Sequence, residues 1–235
     1  MFPNQNRYAT PSQLGVRPTT ALSTSFLTQA FAWMFAGLLL TAGVAWVIQG
    51  SASMSSLATA WFLPVIIGQF ALVIVISAAI NRLSATAALG LFFVYAATMG
   101  VTLSFIFAIY TGASIFGAFI SAAGMFGAAS LYGAVTKRSL ASIGGYAFMG
   151  LIGIVIASVV NGLLLHSTGM SFAISIVGVL VFVALTAWDV QKISRGDIAA
   201  MTGSMEKGAV IGALHLYLDF INIFLFLLRL SGGRR

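Results

Sequence analysis

Polar and apolar positions in this chain segregate into blocks. A polar stretch over residues 1–24 is followed by seven predominantly apolar runs, at approximately 26–48, 57–80, 85–110, 113–135, 143–165, 170–188 and 208–228. Each run has 19 to 26 residues, close to the length a helix needs to cross the hydrocarbon core of a bilayer. With almost no charge between the runs, buried helices of a soluble protein are a poor alternative. The pattern predicts an all-α integral membrane protein of seven transmembrane helices. Residues 1–24 read as a flexible cytoplasmic tail and residues 25–232 as the seven-helix domain. The tail has Pro3, Pro11 and Pro18 and no short apolar core of the kind a cleaved signal needs. The first run therefore reads as a retained membrane helix.

The last run breaks the apolar rule in an ordered way. Asp219 lies near its middle, His215 four residues before it and Asn222 three after it. On a helix these spacings put all three on one face. Ionisable groups at lipid depth face a protein interior or a wet cavity. The seventh helix is thus expected at the centre of the bundle, with its polar stripe hidden by neighbours.

Composition agrees. Of 235 residues, 60% are hydrophobic and 6% charged, against roughly 25% charged in soluble domains. The net charge of +7 is spread over loops and chain ends. That suits anionic headgroups and lacks the dense basic face a nucleic-acid partner requires. There are no cysteines, which removes thiolate catalysis and Cys-ligated metals.

Lys and Arg alternate between loops. Arg7 and Arg17 lie in the tail, Arg82 after the second run, Lys137 and Arg138 after the fourth, and Lys192, Arg195 and Lys207 after the sixth; the other three connections have none. By the positive-inside rule the amino terminus and these loops are cytoplasmic. Seven crossings put the carboxyl terminus outside, which Arg229, Arg234 and Arg235 oppose. A crossing seventh helix held by its neighbours is expected, with a re-entrant segment as the alternative. Pro64 should curve the second run or act as a hinge. Gln69 and Asn161 read as interhelical hydrogen-bonding residues, and His166 as an exposed loop residue. Small residues four apart (Ala113, Gly117 and Ser121; Ala123 and Gly127; Ala129 and Gly133; Gly208 and Gly212), with Gly145, Gly150 and Gly153 in the fifth run, predict close helix packing.

The candidate chemistry rests on Asp189, Asp219 and Arg82. Asp189 closes the sixth run near its cytoplasmic end and Asp219 is on the next, antiparallel helix. If they meet in the cytoplasmic half of the bundle they compete for one proton, and its uptake removes a repulsion that otherwise separates the helices. Arg82 could pair with one carboxylate and lock the closed form. The plain alternatives are a solvated helix end for Asp189, a positive-inside residue for Arg82 and a satisfied core residue for His215. Two carboxylates are too few for a tight calcium site, since calcium takes six to eight oxygens. They suit a weak, transient one.

The segments LYLDFINIFLFLLR (216–229) and AWDVQKI (187–193), with weaker support from the Arg82 region and YAATMGVTLSFIF (95–107), resemble the Bax inhibitor family of transmembrane Bax inhibitor motif proteins, especially its bacterial members. The resemblance implies seven helices with the last one wrapped by the other six. It implies a pH-sensing aspartate pair at the positions of Asp189 and Asp219, and an arginine latch at Arg82; His215 and Asn222 are placed beside Asp219 by helix spacing alone. It further implies a pH-sensitive calcium leak across the bacterial inner membrane, with calcium as permeant or weakly bound ion, no tightly bound cofactor, a single chain as the pore unit and scope for membrane-protein partners.

Two other functions fit the same residues: a proton-coupled carrier of an ion or small solute, and a non-transporting adaptor regulating a protein complex. Enzymes fit poorly. Ser130 in GAASLYG (127–133) does not match a rhomboid-like serine, there is no HExxH, and the seventh run has no lysine between Gly208 and Arg229 for a retinal.

Overall fold

A break at Trp61 divides the second apolar run into two helices. The computed structural model describes residues 20–232, and within them α1 spans Thr20–Gln49, α2 Ala52–Ala60 and α3 Phe62–Ala79. Pro64 therefore lies in the first turn of α3. Its missing N–H costs nothing there, because the first N–H groups of a helix have no intrahelical partner. The expected mid-helix kink or hinge is replaced by a helix restart, with Trp61 at φ −99° and ψ 8° between the two pieces.

The chain continues with α4 (Ala85–Ile109), α5 (Gly112–Val135) and α6 (Ala141–Val160), the last extended by a π-helical turn over Asn161–Leu165. Then come α7 (Thr168–Ser194), the short α8 (Asp197–Thr202) and α9 (Met205–Ser231). Hydroxyl caps open several of these helices. Ser84 accepts from the Ala87 N–H at 3.1 Å, Thr111 from Ser114 at 3.2 Å and Ser167 from Met170 at 3.3 Å. Each cap satisfies one N–H that the helix cannot. Thr111 and the extended Tyr110 thus separate α4 from α5, and no bent or re-entrant segment forms. Among the described residues, seven helical spans of 18 to 27 residues are long and apolar enough to cross a membrane. Helix α1 begins at Thr20, inside the expected tail; residues 1–19 of that tail lie outside the described residues.

Helix α9 is the centre. Of its most apolar stretch 72% is buried, against 44% for α7 and 11% for α3 and for the α6 span. It is one continuous helix, which settles the seventh segment as a crossing rather than a re-entry. Direct packing around it comes from α1, α4, α5, α7 and α8, while α3 packs on α4 and α6 on α7. The six helices around α9 thus form an inner set of four and an outer pair.

Close packing uses some of the predicted small residues. A Cβ on Gly208 would sit 2.8 Å from Ala199 Cα, and one on Gly212 would sit 3.0 Å from Ile193 Cδ1. Gly133 abuts the Ala187 carbonyl and Gly150 faces Val181, but Gly117, Gly127, Gly145 and Gly153 face open space. Those four add no backbone contact. Gln69 Nε2 donates to Thr102 Oγ1 at 2.8 Å, tying α3 to α4, and Asn161 Nδ2 donates to Ser171 Oγ at 2.8 Å, tying α6 to α7. His166 is exposed, with a left-handed backbone at φ 49°.

The basic connections gather on one side. Lys207 Nζ donates to the Asn81 carbonyl at 3.4 Å, and Gln191 Nε2 and Arg195 Nη2 donate to the Arg138 carbonyl at 2.9 Å and 3.4 Å. The loops after α3, α5 and α7 are thereby linked across a single end of the bundle.

Candidate functional site

Helix α7 does not stop at Asp189. It continues to Ser194, because Val190 and Ile193 are fully buried and hold the extra turn against the bundle. Asp189 therefore lies inside a helix rather than at a solvated end, and is 6% exposed. Its Oδ1 faces two cationic or potentially cationic groups: Lys192 Nζ, one turn later on α7, and His215 Nδ1, 3.4 Å away on α9. Lys192 also lies over the Trp188 ring, 3.8 Å from its centroid. Trp188 in turn lies against Gly144 of α6, where a side chain would collide with the indole. A chain of contacts thus runs from the α6 backbone through Trp188 and Lys192 to Asp189 and on to α9.

Asp219 is one helical turn beyond His215 and is 3% exposed. Its neighbours across the seam are Asp189, Lys192 and Thr186. Among the described residues it forms no ion pair, and its buried Oδ2 has no hydrogen-bond partner. Asn222 spends its amide on its own helix, donating to the Leu218 carbonyl at 2.7 Å.

His215, Asp219 and Asn222 share one face, as their spacing predicts, and that face is one wall of a cavity of about 660 Å³. Asp189 and Lys192 line it from α7, Tyr95 and Met99 from α4, Gln69 from α3 and Phe148 from α6. Most of the remaining lining is apolar. Helix α9 starts at Met205, earlier than expected, so it is His215 that stands level with Asp189, with Asp219 a turn deeper.

Arg82 is not part of this site. It is exposed in the loop after α3, lies outside the cavity lining, and among the described residues makes no ion pair with either aspartate. The cation that holds Asp189 is Lys192, which the alternation of Lys and Arg along the sequence places among the loop charges. The i, i+3 spacing of Asp189 and Lys192 was the available signal, hidden by ending the helix at residue 188. Among the described residues no three His, Cys, Asp or Glu side chains gather as a metal-ligand group. Calcium held by Asp189 and Asp219 would have to take most of its oxygens from water.

A second polar node braces the centre of the bundle. Thr41 Oγ1 lies 2.8 Å from the Ala96 carbonyl, 2.9 Å from the Gly37 carbonyl and 2.6 Å from the Tyr217 hydroxyl. The single Thr41 proton goes to a carbonyl, so Tyr217 is the donor in the third contact. Tyr217 is fully buried and meets Phe92 and Tyr95 edge to face. This node joins α1, α4 and α9 on the side away from the α7 seam.

Comparison with known proteins agrees with this architecture. The family described as inhibitor of apoptosis-promoting Bax1 matches residues 23–235. The chain is 49% identical over 226 residues to the inner membrane protein YbhL of Escherichia coli, covering 94% of this chain and 96% of the relative. It is 43% identical over 219 residues to an uncharacterized protein of Borreliella burgdorferi, covering 91% and 94%. A further uncharacterized relative, from Deinococcus radiodurans, is 40% identical over 211 residues, covering 89% and 91%. With seven membrane-length helices, a buried final helix and this extent of similarity, the chain belongs to the Bax inhibitor family.

Proposed function

We propose that this chain is a pH-sensitive calcium leak channel of a bacterial inner membrane, controlled by Asp189 and Asp219. The observation that carries the reading is that both carboxyls, from adjacent antiparallel helices, line one cavity beside the central helix. Two negative charges in one poorly hydrated space repel, and a proton on either relieves the repulsion. Lys192 and His215 already face Asp189. Asp219 is then the carboxyl left to take a proton or a passing cation. Protonated, it lets α7 and α9 stay packed; deprotonated, it separates them or recruits calcium as the permeant ion. Binding would be weak, as permeation requires.

The basic loops linked at one end of the bundle support a cytoplasmic placement for that end and for the amino terminus. An inner-membrane location rests on the similarity to YbhL. Arg82 lies outside the cavity in the state described, so a latch through it belongs to a second conformation in which the loop after α3 swings toward α7. The deciding experiment is calcium flux through the purified protein in liposomes across a pH series, wild type against Asp219→Asn. The variant should lose most of the pH dependence. A variant with the wild-type pH profile would remove the switch. Transport against a gradient, coupled to protons, would replace the leak with a carrier.

A further inference from the structure

The cavity is much larger than an ion and its walls are largely apolar. At about 660 Å³ it lies within the range of small-molecule sites. Its lining includes Phe70 and Ile74 of α3 and Phe148 and Val155 of α6. These four are also exposed on the outer surface of the bundle, by 65%, 65%, 52% and 46%, in helices long enough to lie in lipid. Helix α3 packs on α4 and α6 packs on α7, so the helices that bear these exposed lining residues are the outer pair of the bundle.

The inner end is acidic. Asp189 and Asp219 carry two formal negative charges there, Lys192 one positive charge, and His215 is uncharged unless protonated. With both carboxyls ionised, one negative charge is unmatched among the described residues. The carboxyl without an ion pair is Asp219, which is 3% exposed and has an unpartnered Oδ2. Phe70, Tyr95, Phe148 and Phe182 supply aromatic walls on the way to it, and aromatic faces attract cations, most strongly where water is scarce. Apolar walls, aromatic faces and one unmatched carboxylate call for an occupant that is apolar over most of its surface and carries a single positive charge.

We propose that this cavity is a membrane-facing binding site for an organic monocation with an apolar body, entering from the side of α3 and α6 and placing its charge against Asp219. This goes beyond the leak reading and does not need it, since binding requires the cavity and Asp219 but no ion flow. An occupant seated there lies against the gating carboxyls, so it also blocks any leak that runs past them.

The test is binding of tetraphenylphosphonium to the full chain in phosphatidylcholine nanodiscs, with empty nanodiscs subtracted and tetraphenylborate as the anion of the same shape. Saturable binding of the phosphonium and none of the borate is expected. Asp219→Asn should weaken binding about ten-fold, the scale of one hydrogen bond or contact to a buried charge. Ile74→Trp and Val155→Trp add bulk to the lining from positions that are 65% and 46% exposed, and each should weaken binding while leaving Asp219 intact. Equal binding by Asp219→Asn and wild type would overturn the proposal, as would saturable borate binding or indifference to both lining substitutions. Because the readout is binding, its failure is separable from an absence of calcium flux.

Discussion

His215 Nδ1 lies 3.4 Å from Asp189 Oδ1 across the seam between α9 and α7. The contact sets the register of the two helices. It puts Asp189 opposite the turn of α9 that begins at His215 and ends at Asp219, so one carboxyl faces Lys192 and His215 while the other, among the described residues, forms no ion pair.

Lys192 and Asp189 should behave as a unit. Lys192→Met leaves a buried carboxylate without its main cation and is expected to lower stability by about 2 kcal/mol. That is less than a fully buried pair would lose, because Lys192 keeps some contact with solvent. Adding Asp189→Asn removes the orphaned charge and should restore most of the loss. Thermal unfolding of the single and double variants in one detergent checks this; a double variant no better than Lys192→Met would show that the two residues act independently.

The proposed leak gives Arg82 a part only in a second conformation. Arg82→Ala should raise calcium leak in liposomes if a latched conformation exists, yet leave thermal stability of the state described here nearly unchanged, because Arg82 is exposed in it. A leak equal to wild type would take Arg82 out of the mechanism.

The Thr41 node predicts an order. Tyr217→Phe removes one donor and leaves Thr41 bonded to a carbonyl, for a loss of about 1 kcal/mol. Thr41→Val strands the buried Tyr217 hydroxyl and should lose about 2 kcal/mol. Finding Tyr217→Phe the more damaging of the two in thermal unfolding would contradict the donor assignment.

Gly208 is where α9 meets α8 most closely, with Ala199 Cα 2.8 Å from the position of an added Cβ. The neighbour is backbone and cannot rotate away. Gly208→Ala should therefore lose about 2 kcal/mol, in the range of overpacked cores. Gly127→Ala, facing open space, should unfold with the wild type. Equal melting of the two variants would mean that the α8–α9 contact yields freely.

Much of this molecule was legible in the residues. A helix in lipid must satisfy its own backbone and present apolar side chains over about 20 residues, so each span is written as an uninterrupted local run. The polar stripe of His215, Asp219 and Asn222 was legible for the same kind of reason: residues on one helix share a face by spacing alone. Helix ends were harder. Residues 189–194 look like loop because Lys192 and Gln191 are polar, yet they are helical because Val190 and Ile193 are buried. Near Trp61 the run stays apolar while the helix breaks, since the proline ring matters more there than hydropathy.

By itself, then, the sequence determined the number and position of the membrane helices, the acidic character of the last two and the polar face of the final one, all properties of single segments. Tertiary structure decided the rest. It brought His215 against Asp189 and, among the described residues, left Asp219 without an ion pair. It kept Arg82 outside the site and opened a cavity lined by α3, α4, α6, α7 and α9. Those outcomes depend on the depth and rotation of one helix against another, which are set by how side chains from distant segments pack, and local sequence carries no record of that.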